Sequence, residues 1–153
     1  MATDNAANTN AVFTSDRFDR NWHPDGGDSN PPPGRDFAVA IGRAFDDAGW
    51  QVMQLPAEAP DDPGSDHWEH SYWYITIDSE SESYWLFLEL IGDHDVWRLS
   101  LHPRRGCLAS LFGSRRTPPI SDRLKRDTES VIYALTECDD LRWVTDLEAE
   151  SLP

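Results

Sequence analysis

Three histidines have the residue types and spacing of a metal site. His67 and His70 form an HxxH pair, and His94 lies between Asp93 and Asp95. Imidazole and carboxylate groups are ligands that zinc and non-haem iron accept. The pair lies at the start of a predicted strand, whose first residue is His70, and His94 lies in a predicted turn, so both motifs would reach the same end of a sheet. Because HxxH in a loop lacks the rigid spacing of a helical HExxH motif, the metal site is the weaker interpretation and we expect no cofactor.

Nucleophilic and acid–base chemistry has less support in the sequence. No GxSxG, P-loop or GxGxxG motif is present. Cys107 and His102 have the chemistry of a nucleophile and a base, but their positions across a strand-to-loop junction give no reason for contact. Adjacent acids such as Asp46 and Asp47 are typical of helix ends. We therefore expect a protein that is not an enzyme.

Three strand-like runs would position these side chains. They cover residues 70–78, 84–91 and 96–102, are rich in aromatic and branched residues, and are joined by short polar links. This pattern predicts an antiparallel β-meander. If each hairpin closes symmetrically about its turn, Asp78 pairs with Tyr84 and Ile91 pairs with Val96. Strand alternation then assigns every residue of the meander to one of two faces.

The two predicted faces differ in character. One is almost wholly apolar and should pack against helices; it carries Tyr72, Tyr74, Thr76, Leu86, Leu88, Leu90, Trp97, Leu99 and Leu101. The other is mixed and carries Trp73, Ile75, Ile77, Trp85, Phe87, Glu89, Ile91, Arg98, Ser100 and His102, with Glu89 opposite Arg98. A sheet face in water usually alternates to polar side chains. Either the N-terminal aromatic residues or a helix covers the mixed face, or it binds a partner with Trp73, Trp85 and Phe87 as anchors.

Helical and strand-like segments flank the meander. Phe37, Ile41 and Phe45 have the spacing of one helix face, which predicts a helix that begins at residue 36. A strand over residues 50–55 is predicted after it. A second helix is predicted over 119–137, and a last strand ends the pattern. The order α-β-βββ-α-β predicts an α+β fold in which two helices pack on one face of an antiparallel sheet.

We expect this single α+β domain to cover residues 36–146. Residues 1–35 are polar and proline-rich, which predicts a weakly ordered arm. Phe13, Phe18 and Trp22 suggest that part of the arm docks, on this chain or on a partner. Residues 147–153 are predicted to form an acidic tail.

The charge of the chain is segregated. The formal net charge is −15, yet residues 104–126 hold seven of the 13 basic residues. The acidic remainder opposes contact with nucleic acid and anionic membranes and attracts basic proteins. Within the basic stretch, Leu108, Leu111 and Phe112 could form an apolar tip that docks on a protein. The alternatives are phosphate binding by the arginines and internal neutralisation of the acidic body.

The sequence also bears on location. It contains no apolar run of transmembrane length. Residues 1–5 show neither the basic segment nor the apolar run of a secretory signal, so we expect none. Cys107 and Cys138 lack ligand spacing, and free thiols in a reducing compartment are the simplest interpretation. We expect a cytoplasmic protein, either a monomer or a homodimer.

The leading functional hypothesis is an acidic bacterial protein-binding module. It would neutralise a basic protein, as an immunity protein inhibits a toxin. Asp61, Asp62 and Asp66 would steer the partner, and the mixed sheet face with Trp85, Phe87, Glu89 and Arg98 would bind it. One alternative is a secretion-type chaperone for an effector. The other is a metal-dependent hydrolase that uses His67, His70 and His94.

Overall fold

The described part of the chain forms six strands and three helices. The computed structural model describes residues 8–18, 20, 33–54, 73–91, 96–104 and 120–151. The strands are β1 Asn10–Thr14, β2 Gln51–Gln54, β3 Trp73–Asp78, β4 Ser83–Ile91, β5 Val96–Pro103 and β6 Arg142–Val144. The helices are α1 Arg35–Asp47, α2 Asp122–Thr136 and α3 Asp146–Glu150.

The six strands form one antiparallel sheet in the order β2-β3-β4-β5-β1-β6. The predicted meander is its centre, where strands that follow each other in the chain also pair. This arrangement confirms the α+β fold with a central meander. The sheet is larger than predicted because β1 inserts between β5 and β6.

The N-terminal strand corrects the predicted arm. Asn10 pairs with both Ser100 and Val144, and Ala11, Val12 and Phe13 are buried. Residues 10–14 therefore belong to the domain, and the arm over 1–35 is wrong for this segment. The strand is short and lies in polar surroundings, so its pattern was weak. Its ladder partners come from distant parts of the chain, which local sequence does not reveal.

Both long helices pack on the same side of the sheet. Phe37, Ile41 and Phe45 of α1 and Leu124 and Ile132 of α2 belong to one buried apolar cluster. That cluster also contains the inward side chains of the central strands, among them Ile75, Leu86 and Leu99. We call this side of the sheet the covered face. The prediction that two helices pack on one face agrees with this arrangement.

The N-terminal aromatic residues also dock on the covered side. The ring of Phe18 stacks on that of Phe37, with centroids 4.1 Å apart and planes 8° from parallel. The indole Nε1 of Trp97 donates a hydrogen bond to the Ser15 carbonyl at 3.2 Å. The segment after β1 therefore closes over the end of α1. Its docking site is on this chain.

The pairing of β3 with β4 differs from the prediction by one residue. Asp78 lies opposite Ser83, not Tyr84, and Trp73 lies opposite Leu88. The turn is shorter than predicted, since Ser79 N donates to Glu82 O at 2.7 Å and closes a four-residue link. A slip of one residue moves every side chain of a strand to the other face.

The faces are reassigned accordingly. Trp73, Ile75 and Ile77 lie on the covered face, so their predicted position on the mixed face is wrong. Tyr74 and Thr76 lie on the opposite face, so their predicted position on the apolar face is wrong as well. The β4–β5 register is as predicted, with Ile91 opposite Val96 and Glu89 opposite Arg98.

The C-terminal segment is ordered further than predicted. Thr145 begins α3 with a capping box, in which its side chain accepts from Glu148 N and the Glu148 carboxylate accepts from Thr145 N. Ala149 is buried against Val12 and Val144. The helix therefore packs on the domain through Ala149, so the acidic tail predicted from 147 is wrong for residues 147–150.

Candidate functional site

The side of the sheet opposite α1 and α2 is the candidate site, and we call it the open face. Cross-strand pairing sets it out as rows of neighbouring side chains. The first row is Asp78 and Ser83, and the second is Thr76, Trp85 and His102. The third row is Tyr74, Phe87, Ser100 and Asn10, and the fourth is Glu89, Arg98 and Val12.

Aromatic side chains occupy the centre of the open face. Trp85 is 44% exposed, whereas its strand neighbours Tyr84 and Leu86 are buried on the other side. Phe87 follows two positions later on the same face and is half-buried. Its ring lies 5.0 Å from the imidazole of His102, which pairs across the strands with Trp85. Tryptophan is enriched at protein interfaces, where its large ring buries apolar area while its N–H group can still donate a hydrogen bond.

Two ion pairs border the aromatic centre. Arg98 pairs with Glu89 across β4 and β5, and both side chains are about four-fifths buried. At the other end, Arg104 Nη1 lies 3.8 Å from Asp78 Oδ1, and its guanidinium lies 5.8 Å from the centroid of the Trp85 ring. The described ion pairs of the open face are therefore balanced in charge, although the chain as a whole carries −15.

Helix α3 covers one end of the open face. Asn10 is fully buried there, and its Nδ2 donates to Asp146 Oδ1 at 2.8 Å. Ser100 Oγ donates to Asn10 Oδ1 at 2.6 Å, which ties the helix to the sheet through two buried side chains. The predicted alternative of a covering helix therefore applies at the β1–β6 end, and Trp85 lies beyond it.

His102 connects the aromatic centre with α3. Burial lowers the pKa of its imidazole below the ordinary 6.5. The carboxylate of Asp146 opposes this shift, and the positive charge of Arg98 adds to it. The neutral imidazole therefore prevails near pH 7, where it contacts the ring of Phe87 as an uncharged aromatic group.

The structure brings four of the predicted contact residues together on the open face and places a fifth in the core. Trp85, Phe87, Glu89 and Arg98 share the open face. Trp73 is 4% exposed and lies in the core, so its prediction as an anchor is wrong. The other predicted residues lie outside the described residues, namely Asp61, Asp62, Asp66, Leu108, Leu111, Phe112 and the histidines His67, His70 and His94.

Two features of the open face were not predicted from the sequence. The predicted register places Tyr74 on the other face, and Arg104, which directly follows β5, contacts Asp78 of β3 and Trp85 of β4. The four-residue turn sets the β3–β4 register, and its length was not predicted. Among the described residues, no group of three or more His, Cys, Asp or Glu side chains could hold a metal ion.

Comparison with protein-family models, curated proteins and solved structures found no match for this chain. The residues of the open face are therefore the basis from which a function can be inferred. None of the helices in the described part of the chain has the length and apolar character needed to cross a bilayer.

Proposed function

We propose that this chain is a non-enzymatic protein-binding module that uses the open face to bind and neutralise a basic protein. The observation that carries the proposal is the exposure of Trp85 at the centre of an aromatic sheet surface. Tryptophan is enriched among the few residues that dominate protein interfaces, because it buries a large apolar area with few rotatable bonds.

The sheet gives this surface a fixed shape. Trp85 and Phe87 lie on the central strand β4, which pairs along its length with β3 and β5. The backbone of a doubly paired strand is already ordered, so it loses little further freedom on binding. Preorganisation of this kind lowers the entropic cost of association. The open face thus presents its aromatic anchors on an ordered backbone.

The surrounding charge favours a basic partner. The net charge of −15 creates a field that attracts cations over distances longer than a contact. Exposed acids of the described C-terminal segment, such as Asp139, Glu148 and Glu150, lie after α2 and on α3. The charge would accelerate encounter, and the aromatic centre would slow dissociation. The immunity-type role against a toxin is the form of this function that suits a small acidic protein.

The test starts with the partner itself. The tagged protein captures binding proteins from its native cell. The captured protein is identified, purified and titrated by calorimetry against the wild type and two variants of this chain. We expect Trp85→Ala to weaken binding at least ~30-fold, as the loss of an interface anchor does. Tyr133→Ala is the matched control, since Tyr133 is also 44% exposed but lies on α2.

The outcomes separate the hypotheses. Weakened binding by Trp85→Ala, with unchanged binding by Tyr133→Ala and a basic, folded 1:1 partner, supports the proposal. Equal affinity of the Trp85→Ala variant and the wild type removes the open face as the binding surface. A client bound only as an unfolded segment would instead identify the chaperone alternative. Higher salt should slow association with a basic partner, because it screens the field of the acidic body.

A further inference from the structure

Arg104 marks a site on the open face where a cation can bind. Its backbone N donates to Ser83 O at 2.8 Å, which fixes the residue at the end of the β4–β5 ladder. From there the side chain reaches both the Trp85 ring, at 5.8 Å, and the carboxylate of Asp78, at 3.8 Å. A guanidinium binds favourably both to the face of an aromatic ring and to a carboxylate, and Arg104 contacts one of each.

The internal arginine uses this site only in part. A charge-assisted hydrogen bond spans about 2.7–2.9 Å, so the distance of 3.8 Å to Asp78 leaves the carboxylate without a close bond from Arg104. The 5.8 Å to Trp85 is near the outer limit of about 6 Å for a cation–π contact. By contrast, the guanidinium of Arg123 lies 4.4 Å from the ring of Trp50. Arg104 therefore makes neither contact at close range, and Trp85 stays 44% exposed.

We propose that Trp85 and Asp78 form a receptor site for an arginine side chain of the partner, which displaces Arg104. This inference rests on the proposed function and names the group that the open face recognises. The net charge of −15 attracts a cationic partner to the chain, and Asp78 supplies a carboxylate within this site. Arginine fits better than lysine, because its planar guanidinium stacks on the indole while its N–H groups pair with the carboxylate.

A peptide with a single arginine tests the site without the partner. The probe is a blocked pentapeptide with one central arginine among glycine and alanine, and its control carries the neutral isostere citrulline. Binding is followed by NMR through the indole N–H signal of Trp85, which Trp85→Phe assigns. The arginine peptide should give a saturable shift of this signal, and the citrulline peptide should give none.

The decisive variant removes the internal competitor. Arg104→Gln should lower the dissociation constant for the arginine peptide by ~3–10-fold, because the peptide no longer displaces a bound cation. Arg126→Gln is the control, since Arg126 is exposed on α2 and its loss changes the net charge equally. It should leave the constant unchanged. Asp78→Asn should weaken binding several-fold.

Three results would overturn the site. The first is a shift of the wild-type Trp85 signal that the citrulline peptide reproduces. The second is the same dissociation constant for the arginine peptide in the Arg104→Gln variant and the wild type. The third is an equal gain in affinity from Arg104→Gln and Arg126→Gln. The last would show that net charge alone governs binding. If Trp85→Ala still weakens binding of the partner protein in these cases, the arginine site fails and the proposed function stands.

Discussion

Trp73 and Trp85 lie on neighbouring strands of one hairpin and have opposite environments. Trp73 on β3 is 4% exposed and belongs to the apolar cluster under the helices. Trp85 on β4 is 44% exposed and lies on the open face. The same side chain therefore stabilises the fold in one strand and is available for contact in the next. Strand register, more than composition, decides which of the two roles a residue has.

The largest expected effect comes from removing the buried tryptophan. Trp73→Ala should lower the free energy of unfolding by about 3–5 kcal/mol, because it leaves a cavity in the packed core. Trp85→Ala should cost less than about 1 kcal/mol, as surface substitutions do. Urea unfolding of both variants measures the difference. Similar losses for the two variants would contradict the assignment of the faces.

A glycine on the covered side gives the next effect. Gly34 has a φ of 98°, and a Cβ there would lie 2.7 Å from the ring of Trp97. Gly34→Ala should therefore cost about 2–4 kcal/mol, from backbone strain together with overpacking. Gly49 is the control, since its φ is 96° and its Cβ would have no neighbour within 4 Å.

The Gly49→Ala variant should lose only the strain, about 1–2 kcal/mol. Thermal unfolding of both variants measures the difference. Equal losses would show that the covered face accommodates the added methyl group beside Trp97.

The α3 end of the open face should show an intermediate effect. Asn10→Ala leaves the buried hydroxyl of Ser100 and the carboxylate of Asp146 without their bonds to Asn10, which should cost about 1–3 kcal/mol. Hydrogen exchange should show faster opening of α3 in this variant, since Asn10 joins the helix to the sheet. Unchanged protection of the α3 amides would show that apolar contacts with Val12 and Val144 hold the helix.

The smallest effect concerns pH. Burial lowers the pKa of His102 in the folded protein, so the unfolded chain takes up its proton first as the pH falls through 6.5. The folded state therefore loses stability below pH 6.5 until the lower, folded pKa is passed. His102→Gln should remove this part of the pH dependence. Urea unfolding at about pH 7.5 and about pH 5.5 compares the two proteins, and parallel stability changes would contradict the burial of the imidazole.

The fold class was predictable because its signals are local. The aromatic and branched runs of the meander and the helical spacing of Phe37, Ile41 and Phe45 each lie within one element. The β4–β5 register was also predicted, with Glu89 opposite Arg98. The β3–β4 register was not, since it depends on a hydrogen bond inside the turn, from Ser79 N to Glu82 O.

The candidate site was predictable in part for the same reason. Trp85 and Phe87 follow from alternation along one strand. The burial of Trp73 depends on the turn, and the position of Arg104 beside Trp85 and Asp78 depends on tertiary structure. Strand β1 was not predicted, because its partners, Ser100 and Val144, are distant in sequence.

Fluorine NMR of the protein carrying 5-fluorotryptophan tests the role of the open face most directly. Each tryptophan gives its own resonance, and single Trp→Phe variants assign those of Trp73 and Trp85. On titration with the captured basic partner, we predict that the Trp85 resonance shifts and loses its sensitivity to exchange of H₂O for D₂O, while that of Trp73 stays in place. An unchanged, solvent-sensitive Trp85 resonance in the saturated complex would contradict binding through the open face.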